Sequence, residues 1–260
     1  IVCDLSNPFF ALLVADIEAT AAGFGYTVIV LCTHEIQEKE ENAIRVAIGR
    51  QADGILLCPC QGNGDSIQLL EDARLPYVLL SRHFQGQAAD ALVCDEHKGG
   101  YLATEHLISA GHKKLIFLSS YGHVSDIALR RMGFLDACKA HGIKEEDSLI
   151  FEHDDGEKTA AYLLHKHAEG FTGVFAYCDM EAWKVISCLK NKGLRVPEDL
   201  AFTGYDNIQG RLGFPFSLCS VEGSLQDICD SSVRLLDKKI NGGHSRGGLS
   251  VFPVSVVCRG

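Results

Sequence analysis

The residues best suited to chemistry lie in Gly193–Ile208, GLRVPEDLAFTGYDNI. Gly193 stops a helix, Arg195-Val196-Pro197-Glu198-Asp199 makes a charged turn, and Leu200–Thr203 reads as a short buried strand. Gly204 is expected to let the backbone leave that strand, so that Tyr205-Asp206-Asn207 stand in the loop beyond it. Open parallel α/β sheets hold ligands outside the carboxyl ends of their strands. A carboxylate placed there, Asp206, can accept two charge-assisted hydrogen bonds from neighbouring hydroxyls. The competing use of the same side chain is an Asx turn at the strand end.

Reactive patterns are poor by comparison. The chain has no GxSxG elbow, no GxxxxGK[ST] loop and no HExxH pair. Gly23-Phe24-Gly25 lacks a third glycine and opens a strand rather than a helix, so it is no dinucleotide loop. His165 and His167 fall on different faces of a helix and read as solvated residues. Cys58-Pro59-Cys60 has the look of a redox pair, but Cys58 reads as a strand end. The expectation is a protein that binds rather than catalyses, with no cofactor and no metal.

The elements that would position these residues alternate strand and helix. Ile1–Leu5 reads as a strand, followed by a helix with Phe10, Leu13, Ile17 and Ala21 on one face and closed by Gly23 and Gly25. Strands are expected at Tyr26–Leu31, Gly54–Cys58, Tyr77–Leu80 and Ala91–Cys94, with helices near Gln37–Arg50 and Ser66–Ala73. A second series follows, with helices Gly99–Ala110, Ile127–His141, Glu157–Ala168 and Met180–Lys192. Its strands are Leu115–Ser119, Leu149–Glu152, Gly173–Ala176 and Leu200–Thr203. The tail adds a strand at Leu218–Val221, a helix at Gln226–Ile240, a glycine-rich loop and a final strand over Leu249–Val257. Short βα connections imply mostly parallel sheets covered on both faces. About ten strands exceed one compact doubly wound sheet, so two lobes are expected.

Composition sets the outer limits. The 260 residues are 47% hydrophobic, enough for a full core in one large domain or two small ones. A formal charge of −10, without a Lys/Arg cluster, argues against gripping a phosphate backbone directly. No apolar run approaches a membrane span, and no charged leader or cleavage site precedes the first strand. Eleven cysteines form no regular framework, and Cys3, Cys32, Cys58, Cys94 and Cys178 fall in apolar runs, a usage that suits a reducing cytoplasmic setting.

Several segments together resemble the lactose-repressor (LacI/GalR) family of transcription regulators, in its effector-binding domain. They are SNPFFALL (Ser6–Leu13), RQADGILLCP (Arg50–Pro59), LPYVLLSR (Leu75–Arg82), GGYLATEHLISAGHKKLIFL (Gly99–Leu118), RRMGFLDA (Arg130–Ala137) and CDMEAW, ahead of GLRVPEDLAFTGYDNI. They follow the family's order and spacing over essentially the whole chain. The resemblance implies two lobes of the periplasmic-binding-protein-like type I fold joined by a multi-stranded hinge. One lobe would be 1–93 plus 223–250, the other 94–222 plus 251–260. It further implies a small effector held between the lobes, a homodimer, and operator DNA reached through a helix-turn-helix headpiece that is not in this sequence, which accounts for the acidic charge. The runner-up is a periplasmic or lipid-anchored solute-binding protein of a transporter.

The resemblance also implies the site. Asp206 and Arg130 would contact the effector, with Asp4 and Ser81 at strand ends of the first lobe. Of Phe9 and Phe10, one lines the cleft and the other packs inward; periodicity makes Phe10 the core residue and Phe9 the ring against a sugar. Other positions depart from the family pattern. Ser81 stands where many relatives carry Asp, and Tyr121 stands where Pro is common. Cys178 replaces Asn and leaves Asp179 as the expected helix cap, while Glu96 replaces Asn after Asp95. Asp155 occupies an often aromatic position but can equally cap a helix, and Glu222 lies near a common Gln. The expected effector is a sugar, amino sugar or polyol; the extra acids disfavour sugar phosphates and suit an ordinary neutral hexose less well than an amino sugar, a polyol or another polar, cationic ligand.

Overall fold

A computed structural model gives the arrangement of residues 1–62, 64–84, 89–119, 124–213, 218–243 and 247–258. They divide into two compact units, Ile1–Cys94 with Ser224–Pro253, and Asp95–Gly223 with Val254–Gly260. Tyr121 and residues 244–246 of the glycine-rich loop lie outside the described residues.

In the first unit, β1 (Ile55–Leu57), β2 (Tyr77–Leu80), β3 (Ala91–Cys94) and β9 (Leu249–Phe252) form a parallel sheet in the order β1-β2-β3-β9. The strands are apolar on both sides because both faces are covered. Leu56, Cys58, Val78, Leu80 and Leu92 pack with α1 (Pro8–Gly23) and α8 (Leu225–Ile240), through Leu13, Ile17, Ile228 and Val233. Ile55, Leu57, Tyr77, Leu79 and Ala91 face α2 (Gln37–Gly49) and α3 (Asp65–Asp72), through Ile44, Ala47, Ile67 and Leu70. Asn7 caps α1, its side chain accepting from the Phe9 amide, and Pro8 takes the first helical position where no amide hydrogen is needed.

Two expected strands do not form as strands. Ile1–Cys3 runs beside β1, with Cys58 N donating to Ile1 O at 3.0 Å, but the pairing stops where Asp4 turns the chain by accepting from Ser6 N at 2.8 Å. On its other side Val2 bridges only Cys32, so Tyr26–Leu31 has no continuous partner and forms no strand. The final strand is also two strands. Leu249–Phe252 pairs in parallel with β3, and β10 (Val254–Val257) pairs antiparallel with β8 (Cys219–Gly223) in the other sheet. Pro253, with no amide hydrogen to give to a ladder, marks the change.

The second unit carries six strands in the order β10-β8-β7-β6-β4-β5. Here β4 is Leu115–Ser119, β5 Ser148–Glu152, β6 Gly173–Ala176 and β7 Ala201–Tyr205, and all but the β10–β8 pair are parallel. Ile116, Leu118, Val174, Ala176 and Phe202 pack against α6 (Gly156–Ala168) and α7 (Asp179–Asn191). Leu115, Phe117, Phe175, Tyr205 and Val221 pack against α4 (Glu96–Ser109) and α5 (Ser125–Ala140). One pair of the eleven cysteines, Cys219 and Cys258, is disulfide-bonded, and the nine others are not. Among the described residues no helix is long and apolar enough to cross a membrane.

Candidate functional site

The second unit brings Arg130 and Asp206 together at the carboxyl ends of β6 and β7. Both are buried, with side chains 8% and 7% exposed. What places Arg130 is the contact of α4 with α5. A Cβ on Gly100 would run into the backbone of Arg130, and one on Gly133 into the carbonyl of His97. These glycines let the two helices meet backbone to backbone, which sets Arg130 opposite the first residue of α4, Glu96.

Four groups then fix the guanidinium. Nε donates to Glu96 Oε2 at 2.7 Å, and Nη1 to the Tyr177 carbonyl at 2.6 Å. Its plane lies over the Tyr205 ring, 3.5 Å from the centroid, and Nη2 stands 3.8 Å from Asp206 Oδ1. Stacking and forked donation both require an arginine.

Asp206 is held differently. Its φ of 94° lies in the left-handed region that non-glycine residues avoid, and Asn207 follows at 43°. Asp206 N donates to Val221 O at 2.8 Å, and Asn207 N to Ser220 Oγ at 3.0 Å. Asp179 ties the turn down, Oδ1 accepting from Ser220 Oγ at 2.6 Å and Oδ2 from Ile208 N at 3.1 Å. Asp179 is therefore the first residue of α7 and not its cap; the cap position is Cys178. Gly204 also has another reason than the one expected. It lies inside β7, and a side chain there would collide with the Asp179 carboxylate.

The cluster holds two carboxyls for one guanidinium. Burial, with Glu96 adding to it against Arg130, pushes the Asp206 carboxyl up to about 7. Burial likewise raises Glu96. For Arg130 burial opposes the charge, yet Glu96, Tyr205 and Asp206 hold it well above its ordinary value. Among the described residues the Asp206 carboxylate accepts no hydrogen bond, so its lone pairs stand available at a strand end.

The other expected residues fall in several places. Cys178 is buried beside Asp206 and Arg130, and burial followed by Asp206 raises its thiol. Asp155 is spent on capping α6: Oδ1 accepts from Glu157 N at 2.9 Å and Lys158 N at 3.1 Å. Glu222 is exposed on β8 opposite Ser255. In the first unit Phe10 is buried in the core and Phe9 half-buried against it, edge to face at 5.2 Å, as periodicity predicts. Phe10 is thereby a packing residue of the first unit. Asp4 is occupied by Ser6, and Ser81, with φ 63°, follows β2. Cys58 and Cys60 are buried free thiols, pushed up by burial to about 11 and about 12, so they are not activated.

Two residues escaped the sequence reading as site members. Glu96 and Tyr205 complete the Arg130 cluster. In the first unit Arg82 is buried at the end of β2, its Nη1 donating to Glu35 Oε2 at 2.8 Å and to the Pro59 carbonyl at 3.4 Å. A cavity of about 690 Å3 in the first unit lies away from these groups, lined mainly by apolar residues including Val14, Ile17, Ile29, Ile55 and Leu236. Its charged lining residues are Arg50, Asp53 and Asp237.

Two doubly wound α/β units, sharing a chain that passes from one to the other after Cys94, Gly223 and Pro253, define the periplasmic-binding-protein-like type I fold. The chain belongs to the family described as periplasmic binding proteins and the sugar binding domain of the LacI family, matched over residues 1–222. It is 32% identical over 247 residues to the HTH-type transcriptional repressor PurR of Vibrio atlanticus, covering 92% of this chain and 73% of that protein. It is 30% identical over 211 residues to the HTH-type transcriptional regulator DegA of Bacillus subtilis, covering 78% of this chain and 62% of that one. The chain thus spans only part of the length of these relatives. A LacI family transcriptional regulator from Enterococcus faecium, solved with bound ribose, superposes with a TM-score of 0.86 at 25% identity over 98% of this chain and 95% of that one.

Proposed function

We propose that this chain is the ligand-sensing part of a DNA-binding transcriptional regulator, and that it holds a small polyhydroxylated molecule through Arg130 and Asp206. The observation that carries this reading is the state of Asp206. A buried carboxyl at a strand end, in a left-handed conformation and accepting no hydrogen bond among the described residues, fits hydroxyl donors from outside the protein. Arg130, held on three sides by its own neighbours, keeps Nη2 near that carboxylate and supplies the matching donor. Cys178 joins them as a small apolar wall. Glu222 and Tyr121 are further proposed contacts that rest on the family resemblance. Binding of a sugar by one neighbour of the same fold supports the ligand class.

Regulation follows from linkage. A ligand shifts a conformational equilibrium only by its difference in affinity for the two states. The same free energy appears as altered affinity for the other partner, here operator DNA bound through a headpiece in a homodimer. An intracellular setting accompanies that role.

The test is isothermal titration with a panel of pentoses, hexoses, disaccharides, polyols and amino sugars, preceded by a thermal-shift screen. At least one should stabilise the domain in proportion to the logarithm of its concentration. Each charge-assisted hydrogen bond contributes about 1.5–3 kcal/mol, so Asp206→Asn and Arg130→Lys should each weaken that ligand about tenfold to a hundredfold. Because hydroxyls donate to the ionised carboxyl, affinity should also rise from pH 6 to pH 8 in the wild type. A ligand bound equally well by both variants would overturn the assignment.

A further inference from the structure

A second polar cluster lies in the second unit, outside the Arg130 site. Cys219 opens β8, Cys258 follows β10, and the two cysteines extend the antiparallel pairing in which Val257 faces Ser220. Their Cα atoms are 4.1 Å apart. His106, in the last turn of α4, brings Nε2 to 3.5 Å from Cys258 Sγ. One donor atom from each of the three lies within 4.8 Å of the others.

We propose that, with the Cys219–Cys258 disulfide reduced, these three residues bind a thiophilic divalent cation of the zinc type. Two thiolates and an imidazole are the donors such a cation selects. The imidazole is what distinguishes the cluster, since a disulfide alone has no use for a ring nitrogen aimed at one of its sulfurs. At metal–ligand distances of about 2.0–2.3 Å, tetrahedral donors stand about 3.3–3.8 Å apart; His106 Nε2 and Cys258 Sγ already have that spacing at 3.5 Å, and the two sulfurs, bonded in the disulfide, reach it by side-chain rotation once the bond is cut. The three residues come from three different elements of one packed unit, which fixes their separation. Cys258 is exposed and the other two half-buried, so a cation has a path in and the fourth position stays open to water.

The chemistry balances as two steps. A phosphine or dithiol delivers two electrons to the disulfide, which takes up two protons and becomes two thiols. The cation then displaces two protons and binds both thiolates. Disulfide and metal are mutually exclusive states of one site.

The test uses the whole chain, reduced with a phosphine under anaerobic conditions, freed of reductant and titrated with Co2+ and then Zn2+. One equivalent of Co2+ should give thiolate-to-cobalt absorption in the near ultraviolet together with tetrahedral visible bands, and Zn2+ should abolish both. Cys258→Ser should lose the near-ultraviolet band, and His106→Ala should weaken Co2+ by more than about tenfold, since even losing a group behind a ligand costs that much. Reoxidised protein should give no signal. Because Cys258 is exposed, its variant is expected to fold, and circular dichroism checks this. No thiolate–cobalt absorption from reduced, folded protein overturns the proposal. So does wild-type absorption from the Cys219→Ser/Cys258→Ser double variant, which would place the cation among the nine other cysteines.

Discussion

Arg130 illustrates how one residue's environment decides what its neighbour can do. Its Nε contact with Glu96 at 2.7 Å leaves Asp206 at 3.8 Å, too far for a direct hydrogen bond. Glu96 therefore takes most of the guanidinium's attraction and adds its own repulsion to the burial of Asp206. Glu96→Gln keeps an oxygen for Arg130 Nε and removes one negative charge. The Asp206 carboxyl should then ionise at lower pH, and the rise of ligand affinity with pH should move down with it. Titration calorimetry of both proteins across pH 5 to 8 measures this. An unchanged pH midpoint would mean that Glu96 does not act on Asp206 through charge. In the sequence Asp206 stands out by its strand-end position and Arg130 by family spacing. Glu96 showed only as a departure from Asn, since its partner stands 34 residues away and no local pattern links them. His106 and Cys258, 152 residues apart, were invisible for the same reason.

Among the elements, α4 and α5 do the positioning. Gly100 and Gly133 allow their backbones to touch, and within α4 Thr104 Oγ1 donates back to Gly100 O at 2.7 Å. Gly133→Ala puts a methyl against the His97 carbonyl and has to push the helices apart. Overpacking of this kind costs about 1–3 kcal/mol, to be read as a lower urea midpoint. Because the shift also withdraws Arg130 from Glu96, ligand affinity should fall with stability. An exposed substitution on the same helix, Met132→Ala, should leave both nearly unchanged. Asp155→Ala gives the contrasting case. It removes the cap of α6, so it should lower thermal stability while leaving ligand affinity intact. Helix positions of this kind were largely legible from periodicity and caps. Strand pairing was less so, as Tyr26–Leu31 and the break at Pro253 show: an apolar run cannot reveal whether a partner lies alongside it, nor that one run serves two sheets.

Over the whole molecule the acidic groups separate by the direction in which folding moves them. Glu40, Glu96, Asp179, Glu181 and Asp206 are buried, and burial is the largest cause raising each of them. Asp155, Glu157, Glu169, Asp199 and Asp230 are lowered, chiefly by hydrogen bonds, but three of them are exposed and Asp199 and Asp230 are half-buried, so water screens their effects. A raised carboxyl contributes its stability in full below its unfolded pKa of about 4. That stability is lost as pH climbs through the folded value, because the unfolded chain gives up a proton that the native state retains. For Asp206 the loss runs from about 4 up to about 7. His112, lowered by burial, works in the other direction, contributing above its unfolded value and losing that contribution as pH falls. Five buried carboxyls against one half-buried imidazole set the net sign. The ligand-free domain should resist urea better at pH 5 than at pH 8, and Asp206→Asn should flatten part of that slope. A bound polyhydroxylated ligand should reverse some of it, stabilising more at pH 8, where Asp206 is ionised and can accept its hydroxyls. Urea midpoints at four pH values, with and without ligand, decide the matter. A wild-type midpoint that rises from pH 5 to pH 8, or a variant that keeps the wild-type slope, would remove Asp206 as the group that links protonation, stability and ligand.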